Sequence, residues 1–159
     1  MKKVINPYIK QDNYICFGCS PNNDIGLKLE FFEDGDEIIS YWEPKKHFEG
    51  YINVLHGGIQ TTLLDEIASW VIHLKAKTAG VTSSIDIKFK KPVLISKGKI
   101  TLKAKIVETN KRLVKIQTFL FDSDNILCSE AEIIYFIYNP DFAKEKLAYP
   151  GYENFFEKE

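Results

Sequence analysis

The most apolar stretch of the chain, residues 56–75, predicts one long buried helix. It reads HGGIQTTLLDEIASWVIHLK, and its apolar residues recur so closely that no broad polar face remains. These residues are Ile59, Leu63, Leu64, Ile67, Ala68, Trp70, Val71, Ile72 and Leu74. Asp65 lies in the middle of this helix, where an ionised carboxylate is costly unless it is paired or faces a cavity.

Alternating apolar and polar residues predict strands before and after the helix. Ile85, Ile87 and Phe89 would share one face of a strand over residues 84–89, opposite the polar residues between them. Similar patterns predict strands over residues 27–32, 37–42, 99–107, 113–121 and 126–138. This order favours an α+β fold of the hotdog architecture. In such a fold, a curved antiparallel sheet of five to six strands wraps around one long central helix.

Gly57 and Gly58 begin the helix, where backbone N–H groups have no intrahelical acceptor. A ligand can approach them closely because glycine has no side chain, so they are candidates for binding an oxyanion or substrate. Asp65 is a candidate base or nucleophile, but it lies roughly 12 Å further along the helix at ~1.5 Å per residue. A reacting carbonyl must lie about 3 Å from both groups. The pattern therefore predicts a homodimer in which Gly57 of one chain faces Asp65 of the other.

The segment HGGIQTTLLDE resembles the signature of the hotdog-fold acyl-CoA thioesterases, in particular the PaaI-like group. The flanking segments HFEGYINVLHGG and CFGCSPNNDIGLKLEF also resemble this group, and the resemblance covers about residues 14–138. It implies that Asp65 activates water or attacks the thioester, and that the Gly57 N–H stabilises the oxyanion. His56 would donate to the carbonyl or protonate the leaving thiolate. The alternative for His56 is a structural cap before the helix.

Further candidates follow from the same resemblance. Relatives often carry a hydroxyl residue at the position of Thr82, where it helps to hold the water near the acid. Strict alternation turns Thr82 away from the face of Ile85, so a β-bulge is needed, and Ser83 is the rival. Some relatives carry Asn six residues before the histidine, where this chain has Gly50; Asn53 is the candidate substitute for contact with the substrate.

Two structural alternatives for Asp65 stay open. It could be an exposed surface acid, or a buried acid bonded to Thr61 or Thr62 one turn earlier. The neighbouring Glu66 projects about 100° away around the helix, and we expect it to be solvated.

Length and composition predict a single domain over residues 1–159, with its core in 14–138 and a C-terminal tail in 139–159. The tail is expected to pack on the body or fray, with a lid over the acyl pocket as the alternative. A formal net charge of −1 argues against a nucleic-acid partner, and we expect no membrane segment. Three cysteines and no signal peptide predict a cytoplasmic protein. Cys16 and Cys19 lack a second pair, so a structural turn is favoured over a metal site.

The leading function is therefore hydrolysis of an acyl-CoA to a free acid and coenzyme A, with no metal or redox cofactor. The site requires a homodimer, and a homotetramer is the larger alternative. A non-catalytic acyl-CoA-binding protein of the same fold is the second hypothesis, motivated by the missing upstream Asn. A hotdog enoyl-CoA hydratase, which uses a histidine paired with an acid, is the third.

Overall fold

A computed structural model describes residues 1–158; Glu159, the last residue of the predicted tail, lies outside the described residues. The structure contains seven strands and two α-helices. The strands are β1 (Lys2–Val4), β2 (Phe31–Asp34), β3 (Glu37–Trp42), β4 (Gly80–Phe89), β5 (Ile100–Asn110), β6 (Leu113–Phe121) and β7 (Leu127–Ile137). The helices are α1 (Gly57–Val71) and α2 (Pro140–Lys146). Short 3₁₀ turns and one π-helical turn, Ile72–Ala76, connect them.

All strands form one antiparallel sheet in the order β1-β2-β3-β5-β6-β7-β4. Helix α1 packs against β3, β4, β5, β6 and β7, which makes it the central element of the core. Its fully buried residues include Leu63, Leu64, Ile67 and Val71, as the apolar pattern predicts. The hotdog fold is confirmed, with seven strands in place of the predicted five to six.

The N-terminal part of the sheet differs from the prediction. Leu27, Leu29 and Phe31 are all buried, so their alternation correctly identifies one face, but strand β2 begins only at Phe31. The backbone N–H groups of Leu27 and Leu29 donate to Phe17 O and Gly18 O of the preceding loop. These residues are extended because they pair with that loop, and they do not extend β2. The additional strand β1 has only three residues, too few to show a period.

The C-terminal tail packs on the body, and it contributes to the core. Phe155 is fully buried against Trp70, with ring centroids 5.6 Å apart, and its carbonyl accepts from Ile5 N–H at 2.9 Å. Tyr149 is also buried, and its hydroxyl donates to His73 O. The core therefore extends beyond the predicted range of residues 14–138 at both ends, to Val4 and Phe156.

Strand β4 lies at one end of the sheet and pairs only with β7. Its register shifts between Thr82 and Ser84, so Ser83 is the extra residue of a β-bulge. Opposite this strand, Ile133 and Tyr135 of β7 are buried on the face that α1 covers. Their partners are Ile85 and Thr82, so the bulge brings both to the helix side of the sheet. No helix in the described residues is long and apolar enough to span a membrane.

Candidate active site

The Asp65 carboxylate is held by two hydroxyl groups from the sheet. Thr82 Oγ1 donates to Asp65 Oδ1 at 2.8 Å, and Tyr135 OH lies 2.9 Å from the same oxygen and 3.0 Å from Asp65 O. Within residues 1–158, no side chain or backbone group donates to Asp65 Oδ2. One carboxylate oxygen is therefore fixed in position, and the other is available to a water molecule or a substrate.

The bulge at Ser83 explains how Thr82 reaches the acid. Thr82 and Tyr135 are direct cross-strand partners, and both side chains lie on the helix side of the sheet. Without the extra residue, Thr82 would point to the opposite face from Ile85, as strict alternation requires. Ser83 is exposed in the bulge, and its side chain makes no hydrogen bond to the described residues. Of the two hydroxyl candidates, only Thr82 contacts Asp65.

Tyr135 is a site residue that the sequence does not single out. Burial raises the pKa of its phenol, with the nearby Asp65 charge as a second cause, so the hydroxyl stays protonated and acts as a donor. The available signal was the alternation of Ala131, Ile133 and Tyr135, which predicts an inward tyrosine that needs a polar partner. Nothing in that pattern identifies Asp65 as the partner.

The predicted structural alternatives for Asp65 are not what the structure shows. Thr61 Oγ1 and Thr62 Oγ1 each donate to a carbonyl one turn earlier, Gly57 O and Gly58 O, at 2.9 Å. Asp65 is half-buried rather than a fully exposed surface acid, and its partners come from β4 and β7. Its carboxylate is therefore positioned by tertiary structure.

The start of α1 leaves the Gly57 N–H without an acceptor in the described residues. His56 is the N-cap, and its Nδ1 accepts from Gly58 N–H at 2.9 Å, so the structural role considered for His56 is present. A Cβ atom on Gly58 would lie 3.0 Å from that Nδ1, so the absence of a side chain there leaves room for the cap. Gly57 N–H donates to no acceptor within residues 1–158. The neutral His56 that accepts at Nδ1 carries its proton on Nε2, where it can donate.

Gly50 and Asn53 lie beside this helix start but differ in what they offer. A Cβ atom on Gly50 would lie 3.5 Å from His56 Cα and Cδ2, so the position that holds Asn in some relatives adjoins His56. The amide of Asn53 is engaged elsewhere: Nδ2 donates to Ser96 Oγ at 2.9 Å, and Oδ1 accepts from Ser96 N–H at 2.8 Å. The structure therefore brings Asn53 to Ser96 and not to the Gly57 N–H.

Glu66 was expected to be solvated, and this is wrong. Its side chain is half-buried, about 100° around α1 from Asp65, where Trp70 Nε1 donates to its Oε1 at 3.2 Å. Cys16 Sγ lies 3.6 Å from the same oxygen, and Cys19 Sγ lies 3.2 Å from Cys16 Sγ. Burial raises the pKa of Glu66 to about 7, and the hydrogen bond from Cys19 lowers the pKa of the Cys16 thiol. The Cys16-x-x-Cys19 turn folds onto the helix, which explains this burial.

Two cavities bear on where a substrate binds. A cleft of about 380 Å³ at the start of α1 is lined by Gly50, Tyr51, Val54, Leu55, His56 and Gly57. It contains the Gly57 N–H but not Asp65. A larger cavity of about 730 Å³ lies between the N-terminal segment and β2, and it contains neither residue. The smaller cleft is the candidate for substrate binding because Gly57 and His56 line it, whereas neither residue lines the larger cavity.

The chemistry separates into two parts within one chain. The Gly57 N–H and His56 lie at the start of α1, and the Asp65 carboxylate with its two hydroxyl donors lies eight residues after Gly57. At ~1.5 Å per residue, this is a separation of roughly 12 Å along the helix axis. In addition, no carboxylate within residues 1–158 is hydrogen-bonded to His56, so the acid–histidine pair expected of a hydratase is not formed.

Comparison with known proteins agrees with this architecture. Residues 52–129, which contain α1 and most of the sheet, match the family model described as the thioesterase superfamily. A protein of Saccharolobus solfataricus named "Putative esterase" is 26% identical over 149 residues, which cover 91% of this chain and 90% of that protein.

Two solved structures show the same fold. A thioesterase superfamily protein superposes with a TM-score of 0.68 at 18% identity, over 74% of this chain and 61% of that one. A hypothetical thioesterase protein with coenzyme A from Streptococcus pneumoniae superposes with a TM-score of 0.65 at 18% identity, over 70% of this chain and 87% of that one. The narrower assignment to the PaaI-like group stays a prediction. The chain thus resembles thioesterase-superfamily proteins in fold and, over residues 52–129, in sequence.

Proposed function

We propose that this enzyme hydrolyses acyl-CoA thioesters to a free acid and coenzyme A at a site shared by two copies of the chain. The observation that carries the proposal is the Asp65 carboxylate, whose Oδ1 is fixed by Thr82 and Tyr135 while Oδ2 has no donor in the described chain. A carboxylate held in this way is a suitable base or nucleophile for acyl transfer. The match of residues 52–129 to the thioesterase superfamily supports thioester hydrolysis as the reaction.

In the proposed reaction, the thioester carbonyl oxygen accepts a hydrogen bond from Gly57 N–H. Asp65 Oδ2 removes a proton from water as the water oxygen bonds to the carbonyl carbon, and the negative charge moves to the carbonyl oxygen. The N–H at the helix start stabilises that charge. The carbon–sulfur bond then breaks, and the thiolate takes the proton from the carboxylic acid that Asp65 has become, while His56 Nε2–H can donate a hydrogen bond to the departing sulfur.

Direct attack by Asp65 is the alternative route, and oxygen isotopes distinguish the two. Attack would form an Asp65 acyl anhydride, and its hydrolysis would leave one solvent oxygen on the enzyme or on the acid. A single turnover in H₂¹⁸O with enzyme in excess, followed by peptide mass analysis, separates them. Label in the Asp65 peptide supports attack by the carboxylate. If only the released acid is labelled, trapping with hydroxylamine decides between the routes, because only an Asp65 acyl anhydride would give an Asp65 hydroxamate.

The geometry of β4 supports a two-fold partner. Strand β4 runs alongside α1 from Thr82 beside Asp65 to Phe89, whose ring lies 3.5 Å from a Cβ atom built on Gly57. If two β4 edges pair antiparallel, the Phe89 end of one strand meets the Thr82 end of the other. This pairing would bring Gly57 of one chain towards Asp65 of its partner, as the separation within one helix requires.

Exposed apolar residues on β4 are consistent with such pairing. Ile85 and Phe89 lie on the helix side of the sheet but remain 36% and 53% exposed, and Val81 on the other face is 48% exposed. An uncovered strand edge with large apolar side chains is a surface that proteins normally protect. A second chain would cover the apolar residues and the unpaired backbone together.

The acyl-CoA assignment has separate support. The Streptococcus pneumoniae protein of the same fold was solved with coenzyme A. The 21 basic residues of this chain are lysines except for Arg112, so the CoA phosphates would meet lysine or backbone N–H groups. A panel of acyl-CoAs of increasing length measures which acyl chains the assembled dimer accepts.

The test is release of free thiol from that panel by wild-type, Asp65→Asn and Asp65→Ala enzymes. We expect both variants to lose at least about 100-fold in kcat/KM while remaining folded dimers, because an amide or a methyl group cannot accept the proton. Asp36→Asn, a matched change in the exposed β2–β3 turn, should keep wild-type turnover. Wild-type turnover in both Asp65 variants would reject the assignment.

A non-catalytic acyl-CoA-binding protein is the second candidate. Two observations favour it: Gly50 supplies no side-chain amide near the carbonyl, and the Asn53 amide is bonded to Ser96. Binding of several acyl-CoAs by calorimetry, without thiol release from any of them, would select this candidate.

A further inference from the structure

The Cys16-x-x-Cys19 turn meets Glu66 of α1 to form a cluster that the proposed reaction does not use. Cys16 Sγ lies 3.2 Å from Cys19 Sγ and 3.6 Å from Glu66 Oε1, and the three ligand atoms all lie within 4.8 Å of one another. The cysteines are not joined by a disulfide. The spacing of the two cysteines provides two possible metal ligands, and the fold provides a third from a residue 50 positions away.

The separations of these atoms fit a small tetrahedral ion. Zinc binds thiolate at about 2.3 Å and carboxylate at about 2.0–2.2 Å, so adjacent ligands are separated by about 3.8 Å for two sulfurs and about 3.5 Å for sulfur and oxygen. The observed 3.2 Å and 3.6 Å are within about 0.6 Å of these values.

Neighbouring groups hold the ligands in place. Trp70 Nε1 donates to Glu66 Oε1 at 3.2 Å, and Tyr14 OH lies 3.0 Å from Cys19 Sγ. A Cβ atom on Gly18 would lie 2.3 Å from Glu66 Cδ, so the turn can pack onto the carboxylate only with glycine at this position. Such outer contacts are typical of metal sites because they orient the ligands.

The charges of the cluster also favour a cation. Two thiols and a carboxylate in contact can each carry a negative charge, and no lysine or arginine forms an ion pair with Glu66 within the described residues. Three half-buried or buried anionic groups need either protons or a cation to stay together. A soft divalent ion satisfies all three because thiolate ligands select zinc over magnesium or calcium.

We propose that Cys16, Cys19 and Glu66 bind a zinc-class divalent cation that ties the N-terminal loop to α1. These residues supply three ligands, which leaves the fourth position of a tetrahedral ion to water. The site is independent of the proposed hydrolysis: Glu66 and Asp65 are adjacent in sequence, but their side chains lie on different sides of the helix. The ion fixes the backbone from which α1 presents Asp65, and it takes no part in the reaction.

The experiment uses the full chain, prepared metal-free under reducing conditions and titrated with Co²⁺ and then Zn²⁺. We expect about one equivalent of Co²⁺ to give a thiolate-to-cobalt charge-transfer band in the near ultraviolet, which Zn²⁺ abolishes by displacement. At about a hundredfold excess over its dissociation constant, Zn²⁺ should raise the Tm by roughly 5–10 °C. Metal analysis of protein isolated from zinc-supplemented cells should find about one zinc per chain.

Substitutions test whether metal binding depends on these three residues, and not on Cys128 or on a loss of folding. Cys16→Ser and Cys19→Ser should lose the charge-transfer band and the Zn²⁺ dependence of Tm, and Glu66→Gln should weaken Co²⁺ binding at least about tenfold. Cys128→Ser removes a buried cysteine whose Sγ contacts only backbone carbonyls, and it should bind Co²⁺ like the wild type. Circular dichroism of each metal-free variant checks that the fold is kept.

Three results would overturn the proposal. The reduced wild-type protein could show no charge-transfer band with Co²⁺ and no rise in Tm with Zn²⁺. The band could persist in Cys19→Ser, or disappear in Cys128→Ser. The isolated protein could carry a Cys16–Cys19 disulfide and bind no Co²⁺ once that bond is reduced.

Discussion

At the scale of single residues, the site depends on how one carboxylate oxygen is held. Thr82 and Tyr135 both bond to Asp65 Oδ1, and both come from the sheet, so the carboxylate cannot rotate without losing two donors. Bonds to a charged acceptor are worth about 1.5–3 kcal/mol each. The orientation of the second oxygen is thus a property of the sheet as much as of the helix.

This arrangement predicts the effect of removing one hydroxyl. Tyr135→Phe deletes the donor and keeps the ring, so kcat should fall about 10- to 100-fold because the carboxylate gains rotational freedom. Steady-state thiol release measures it. Thr82→Ser, which keeps a hydroxyl, should remain within about threefold of wild type on the same scale of hydrogen-bond energies. An unchanged kcat in Tyr135→Phe would mean that this bond is not needed for turnover.

His56 has two functions that substitutions can separate. His56→Asn replaces one good N-cap with another, so stability should stay within about 0.5 kcal/mol, whereas His56→Ala should lose about 1 kcal/mol with its cap. Neither variant has the Nε2–H donor. If that donor contacts the substrate, both variants should lose turnover equally. Urea unfolding measures the stability of each preparation, and thiol release measures its turnover. Wild-type turnover in His56→Asn would limit His56 to capping the helix.

At the scale of elements, the C-terminal segment acts as part of the core. Phe155 is fully buried against Trp70, so Phe155→Ala should cost about 3–5 kcal/mol in the free energy of unfolding. Phe142→Ala removes the same atoms from a ring that is 44% exposed in α2, and it should cost far less. Urea unfolding of both variants provides the comparison. Equal small losses would show that the tail can detach without opening the core.

At the same scale, the sequence predicts the bounds of some strands better than the end of the helix. Strands β3 and β6 have the predicted bounds of residues 37–42 and 113–121, and in β6 buried residues alternate with more exposed ones along the whole strand. The end of the helix was less predictable: α1 ends at Val71, and a π-helical turn takes the chain on to Ala76. The spacing of apolar residues identifies the buried face of a helix, but it does not show whether the backbone hydrogen bonds are those of an α-helix or a π-helix.

The parts of the site that sequence could not supply are contacts between distant elements. Asp65, Gly57 and His56 belong to one local motif, so they were available as candidates. Tyr135 reaches Asp65 across 70 positions, and Glu66 reaches Cys16 across 50, so neither pair has a local spacing. Which inward residue meets which helix residue depends on the strand order, which alternation does not determine.

At the scale of the whole molecule, a shared site predicts complementation between inactive chains. Gly57→Pro removes the N–H of the first helical residue, where proline is well tolerated, and the extended backbone of His56 suits a following proline. Gly57→Pro and Asp65→Ala homodimers should both be inactive. Their heterodimer has one site with both groups intact, so it should regain about half of the wild-type activity per dimer.

Co-expression with two different affinity tags isolates that heterodimer. The control is a heterodimer in which both defects lie on the same chain, paired with a wild-type chain: each of its two sites then lacks one group, and it should be inactive. Activity in this control, or its absence in the complementing pair, would place both groups of a site within a single chain.

Whole-molecule stability should also depend on His73. Burial lowers the pKa of its imidazole to about 4, and its ring packs among Tyr8, Trp70, Tyr149 and Phe155. The unfolded chain takes up a proton near pH 6.5 and the native chain does not, so this contribution is present above pH 6.5 and lost as the pH falls towards 4. The total loss is about 3 kcal/mol.

Urea unfolding at pH 7 and at pH 4.5 tests this dependence. Asn can keep the bond to Thr78 O but does not titrate, so His73→Asn should lose less stability between the two pH values than the wild type. His47→Asn is the control, because the His47 ring lies in an exposed turn. The same pH dependence in wild type and His73→Asn would assign the acid sensitivity to other groups.

The single extra residue in β4 has a consequence for how the strand tolerates substitution. Before Ser83, the odd-numbered Val81 lies on the outer face, whereas after it the odd-numbered Ile85 and Ile87 lie towards the helix. A saturation library of this strand should therefore show a change of pattern at Ser83. Before Ser83, the even-numbered position should tolerate few substitutions, and after Ser83 the odd-numbered positions should tolerate few. Deleting the Ser83 codon would give the whole strand one continuous alternation, and it would turn the Thr82 hydroxyl away from the Asp65 carboxylate.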